Sequence, residues 1–146
     1  MGNGFPIGGV LISPQFKAFY GMLGTTFGGN YLACVAALSV LEVLKKEEII
    51  ENVRSIGLIA IEYFKKMPQV KKISGCGLIL GLHFEFPVLS LKDYLLYKEN
   101  VFVGTASNPF VLRLLPPLNI SKKEMQFFFE KLQNALAHIE NDLSST

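Results

Sequence analysis

Two short segments of this chain hold residue types that could do chemistry. In Gly24-Thr25-Thr26-Phe27-Gly28-Gly29-Asn30, two hydroxyls stand among glycines just ahead of an apolar run. Glycine lets a backbone come close to a ligand, hydroxyls donate to phosphate oxygens, and a helix N-terminus favours an anion. The same pattern also serves as a plain glycine-rich turn capping a helix. In Val111-Leu112-Arg113-Leu114-Leu115-Pro116-Pro117, an arginine sits in the middle of an apolar strand pattern. Burying a guanidinium is costly unless it is paired, because it cannot shed its proton. A carboxylate of a substrate or of the protein would take it bidentately; on an edge strand it would simply reach water.

Other reactive side chains offer less. His83 and His138 have no acid, serine or cysteine at a telling sequence distance, and both read as structural. Cys34 and Cys76 are far apart and lack a histidine at ligand spacing, which fits free thiols in a reducing compartment and no metal site. The net charge is +2, and Lys45-Lys46, Lys65-Lys66 and Lys71-Lys72 read as solvated helix ends and loops. No basic stripe marks a nucleic-acid partner. Only 18% of residues are charged and half are hydrophobic, against about 25% charged in typical soluble domains. That shortfall suggests surface meant to be covered by another domain or subunit.

The stretch from Ala18 to Leu41 carries no charge, but Gly21, Gly24, Gly28, Gly29 and Asn30 interrupt it. Its apolar part, Tyr31 to Leu41, is about half of the ~20 residues a bilayer requires. The first basic residue is Lys17, so no charged segment leads an apolar one as in a signal peptide. The expectation is a cytoplasmic protein with no membrane partner.

The elements that must position these segments follow from pattern. Phe5 to Ser13 is an apolar run ending at Pro14 and predicts a buried strand, entered through a turn at Met1 to Gly4. Asn30 predicts the cap of a helix from Tyr31 to Lys46, apolar nearly all round and so buried on most sides. A second helix, from about Glu48 to Lys66, aligns Ile49, Val53, Ile56, Ala60 and Phe64 before Pro68 stops it. Strands are expected at Val70 to Ile73 and Leu78 to Phe86, joined by a turn at Ser74 to Gly77. A short helix is expected at Ser90 to Tyr97, with further strands at Val101 to Val103 and Val111 to Leu115. Ser121 and Glu124 form a capping box opening a last helix to about Leu143, with Met125, Phe128, Leu132, Leu136 and Ile139 on one face. The fold class is α/β in composition, an α+β layer of long helices on a small, mainly antiparallel sheet, preceded by a strand and loop.

The loop at 24–30, the segment 112–118 and the opening Met1-Gly2-Asn3-Gly4-Phe5-Pro6-Ile7-Gly8-Gly9 together resemble the class III aminotransferases (ornithine and acyl-ornithine) of the fold-type I pyridoxal phosphate (PLP) enzymes. The opening resembles the family's K-G-[LM]-[GA]-x-G-x-P-I-G, with Met1 at the third position, so the resemblance puts the Schiff-base lysine two residues upstream of Met1. No catalytic residue is then expected within the chain, and the chain alone should be inactive. The loop resembles G-[ST]-T-[FY]-G-G-N, which implies that Thr26 reaches the PLP phosphate of the other subunit and that Thr25 touches substrate. L-R-[FL]-x-P-x-L is similar to Leu112 to Leu118 and implies that Arg113 binds the substrate α-carboxylate. Gly75-Cys76-Gly77-Leu78 with Gly81 resembles R-G-x-G-L-x-x-G, although Ser74 stands where arginine is usual.

The resemblance further implies a homodimer with shared active sites. Residues 1–30 would belong to the large PLP-binding domain, 31–46 would be a connecting helix, and 47–146 the C-terminal small domain. The implied reaction moves an amino group between N-acetyl- or N-succinyl-ornithine and 2-oxoglutarate, a step of arginine biosynthesis. The alternatives are another ω-aminotransferase, acting on ornithine, GABA or a similar amine, and a non-catalytic dimerisation module of the same fold.

Overall fold

The computed structural model describes residues 2–22 and 24–144, with side chains as far as 141. The chain divides into two compact units, Met1–Ile49 and Ile50–Thr146.

The first unit is an irregular segment followed by helix α1 (Tyr31–Lys46). The strand expected over residues 5–13 does not form, and Val10 and Leu11 are 79% and 103% exposed. A strand must hand its amides and carbonyls to a neighbour, and the described residues of this unit contain no second strand. Helix α1 has the expected bounds. The Asn30 side chain accepts from the Ala33 amide at 2.9 Å, and Lys45 and Lys46 lie in the last turn, at the negative pole of the helix dipole. Its burial differs from expectation. Only Ala33 and Ala37, four apart on one face, are buried, while Tyr31, Leu32, Val35, Leu38 and Leu41 stay exposed. A helix apolar on all sides needs cover on all sides, and this chain supplies it on one.

The second unit takes up α2 (Ile49–Phe64) from Ile50, then β1 (Lys72–Cys76), β2 (Ile79–His83), α3 (Leu89–Tyr97), β3 (Gly104–Thr105), β4 (Val111–Leu114) and α4 (Lys122–Ser144). The four strands form one antiparallel sheet in the order β1-β2-β4-β3. Alternation along the strands turns Leu80, Leu82, Leu112 and Leu114 to one face, and all four are buried. They share a core with Ile56, Ala60 and Phe64 of α2, Leu91 and Leu95 of α3, and Met125, Phe129, Leu132, Leu136 and Ile139 of α4. Helices α2 and α4 meet through aromatic rings: Tyr63 stacks on Phe129 with centroids 3.8 Å apart, and Phe64 meets Phe129 edge-on at 5.4 Å. Lys131 of α4 pairs with Glu99 just beyond α3 at 2.7 Å.

Several strand boundaries move: β1 starts at Lys72 and not Val70, and β2 runs from Ile79 to His83 and not from Leu78 to Phe86. β1 continues through Cys76, which pairs with Ile79, so the turn is Gly77-Leu78 and not Ser74 to Gly77. The strand expected at Val101 to Val103 lies instead at Gly104–Thr105. Val103 is buried and Val101 packs against the core, so the apolar pattern there reports burial, whereas the register with β4 decides which residues pair.

Candidate functional site

Asn30 builds the loop of residues 24–30. Its side-chain oxygen caps Ala33, and its side-chain amide donates back to the Phe27 carbonyl at 2.9 Å. One residue thus closes the loop and starts the helix. Gly29 has φ +70, a left-handed conformation that is costly for residues with a Cβ. A Cβ at Gly28 would collide with the Thr25 methyl group, so the chain folds this closely only with glycine there. Thr25 and Thr26 are both exposed.

By helix geometry the amides of Tyr31 and Leu32 have no intrahelical acceptor, and the first turn of α1 carries no acidic residue to oppose an anion. Exposed hydroxyls in a loop that leads into such amides are a donor set whose chemistry fits a phosphate group.

Arg113 belongs to the second unit. It lies on β4, an inner strand, so it is not the edge-strand arginine that its sequence context allowed. Its cross-strand neighbours are Gly81 on β2 and Gly104 on β3, and Gly81 in turn pairs with Ser74 on β1. The row Ser74-Gly81-Arg113-Gly104 crosses all four strands on the face away from the leucine core. Arg113 is exposed, and among the described residues no carboxylate forms an ion pair with it. A fixed positive charge between two glycines, on a sheet face free of its own counter-ion, suits a ligand carboxylate.

The sheet also brings together a pair that sequence distance concealed. Ser74 Oγ lies 2.9 Å from His83 Nε2, so His83 does have a serine partner. Among the described residues no hydrogen bond joins His83 to a carboxylate that would orient the ring. His138 stacks on Tyr94 with centroids 4.4 Å apart. Cys34 and Cys76 are free thiols, and no metal-binding cluster occurs among the described residues. No helix among the described residues is long and apolar enough to cross a membrane.

An apolar cleft of about 420 Å³ opens in the second unit between Phe64, Leu78, Val101, Pro116, Met125 and Phe128. Its one carboxylate, Glu124, is held by Ser121.

Known proteins give these features a common frame. The family model of class III aminotransferases matches residues 1–136. The acetylornithine aminotransferase of Bacillus subtilis is 36% identical over 143 residues, covering 94% of this chain and 37% of that protein. The crystal structure of ornithine aminotransferase from Toxoplasma gondii superposes with a TM-score of 0.74 at 27% identity, over 86% of this chain and 31% of that one. A second structure of the Toxoplasma gondii enzyme, with partial occupancy of PLP at its active site, gives 0.73 at 27% identity, over 85% and 31%. The chain belongs to the class III aminotransferase family. It spans about a third of the length of the curated relatives it matches.

Proposed function

We propose that the protein to which this chain belongs is a PLP-dependent aminotransferase acting between an N-acyl-ornithine, acetyl or succinyl, and 2-oxoglutarate. The observation that carries this reading is Arg113, exposed on an inner strand and with no counter-ion among the described residues, in a chain of the class III family. Both reactants present an α-carboxylate, so one arginine serves the two halves of the exchange. The names of the relatives, acetylornithine and ornithine aminotransferase, support a δ-amine donor. Acetylornithine aminotransferases among these relatives favour the acylated form.

The residues divide the work. Thr26, with the amides that open α1, holds the phosphate of PLP across a homodimer interface, and Thr25 borders the substrate. Arg113 holds the α-carboxylate and so fixes which end of the substrate is presented for reaction. PLP, when bound, supplies the electron sink for bond breaking at the amino-bearing carbon. Residues 1–30 belong to the large PLP-binding domain in this reading, residues 31–46 connect, and 47–146 make the small domain. The protein works in the cytoplasm, in arginine biosynthesis.

The test uses the full-length protein with 2-oxoglutarate and four amino donors: N-acetylornithine, N-succinylornithine, ornithine and GABA. The highest kcat/KM should fall on one of the two acylated donors. A preference for ornithine or GABA would move the assignment to another ω-aminotransferase, and no turnover of any donor would remove the enzymatic reading.

A further inference from the structure

The neighbours of Arg113 are not equivalent. The space a Cβ would take at Gly81 is already filled, by Ser74 Oγ at 2.7 Å and a Val111 methyl at 3.1 Å. At Gly104 the corresponding atoms belong to Arg113 itself: Nε at 3.1 Å and Nη2 at 3.3 Å. The guanidinium therefore leans away from Gly81 and rests against β3, with the edge that carries Nε and Nη2 beside the bare backbone of Gly104.

From this we infer that Gly104 is a positioning residue for the ligand carboxylate: the missing side chain at 104 is the seat in which Arg113 holds its fork. The inference rests on Arg113 binding a substrate carboxylate. A Cβ at 3.1 Å from a nitrogen is inside ordinary contact, so alanine at 104 moves the guanidinium by a few tenths of an ångström and a β-branched residue moves it further. Bidentate recognition depends on that placement, because a planar fork matches a carboxylate in one orientation. The cost appears in carboxylate binding and not in folding, since Gly104 is on a two-residue edge strand, outside the leucine core.

The experiment takes the full-length holoenzyme and compares Gly104→Ala, Gly104→Val and Arg113→Lys, with Thr105→Ala as a control on the opposite face of the same strand. Three quantities are read: the Kd of 2-oxoglutarate by calorimetry, the melting temperature, and the half-reaction rate with a simple amine lacking an α-carboxylate. Gly104→Ala should raise the Kd several-fold and Gly104→Val by about 10- to 100-fold, the scale of a misplacement of up to an ångström. The simple-amine rate and the melting temperature should hold, and Thr105→Ala should match wild type. In an Arg113→Ala background the Gly104 substitutions should add nothing. If Arg113→Lys weakens 2-oxoglutarate and both Gly104 variants bind it normally, the seat is refuted while the carboxylate role of Arg113 stands. If Gly104→Val weakens binding equally in the Arg113→Ala background, Gly104 acts by another route and the inference fails. If Arg113→Lys binds 2-oxoglutarate normally, the role of Arg113 falls first and the inference with it.

Discussion

Ser121 and Glu124 cap one another at the start of α4. The Ser121 amide donates to Glu124 Oε2 at 2.8 Å, and the Glu124 amide donates to Ser121 Oγ at 3.2 Å. Each satisfies a donor that the helix leaves without a partner. The backbone and side-chain hydrogen bonds from Ser121 hold the Glu124 carboxyl below its ordinary range. Replacing Ser121 by alanine should cost about 1 kcal/mol, seen as a lower denaturation midpoint with an unchanged slope.

The same pair sets a pH dependence. A carboxylate whose folded pKa lies below its unfolded value stabilises the fold above the unfolded value and loses that contribution as pH falls through the folded one. The denaturation midpoint of wild type should therefore drop toward that of Glu124→Gln as pH falls below the ordinary glutamate range. Parallel curves for the two proteins across that window would contradict it.

Thr26→Ala in the full-length enzyme should weaken PLP affinity by roughly 10- to 150-fold, because a hydrogen bond to a charged group contributes about 1.5–3 kcal/mol. Thr26 is exposed, so the melting temperature of the cofactor-free protein should not move. Because the contact is proposed to cross the dimer, mixing this variant with one lacking the cofactor-linking lysine should restore one sound site per heterodimer. Unchanged PLP affinity would withdraw the assignment of Thr26.

Arg113→Lys keeps the charge and loses the fork. In the full-length enzyme, kcat/KM should fall roughly 30- to 900-fold, equivalent to about 2–4 kcal/mol, for the amino donor and for 2-oxoglutarate alike. Stability should hold, since Arg113 is exposed and has no ion pair among the described residues. A reduced melting temperature with normal kinetics would make it a structural residue.

Expressed alone, the 146-residue chain should self-associate. Tyr31, Leu32, Val35 and Leu38 are 90%, 67%, 59% and 57% exposed on one helix, an apolar patch of the kind that marks an interaction surface. Sedimentation at rising concentration should show growing assemblies, and a clean monomer that binds no hydrophobic dye would count against it.

What was legible in the sequence was local. The ends of α1 follow from Asn30 and from Lys45-Lys46, and the start of α4 follows from Ser121 and Glu124, because each signal acts within one helical turn. Thr25, Thr26 and Arg113 stand out by residue type alone. Features fixed by pairing were hidden. Ser74 meets His83 only because β1 and β2 share a register, and Gly104 meets Arg113 only through the pairing of β3 with β4. Before that register is known, nothing in the sequence sets Gly104 apart. The run from Phe5 to Ser13 misled for a related reason: an apolar, β-prone segment is a strand only where another strand receives its hydrogen bonds.

The edges of the sheet bear on the direction in which such a chain can assemble. On one side β3 offers only two residues, and on the other β1 starts at Lys72 and is bent at Gly75, where φ is +107. Neither edge gives a long, flat row of free amides and carbonyls onto which a second chain could add a strand. Strand addition at these two edges is thereby disfavoured, and the exposed apolar side chains lie elsewhere, on α1 and along the segment that holds Val10, Leu11, Phe19 and Tyr20. Copies that meet through α1 should then do so helix to helix, with the four-stranded sheet neither extended nor rebuilt.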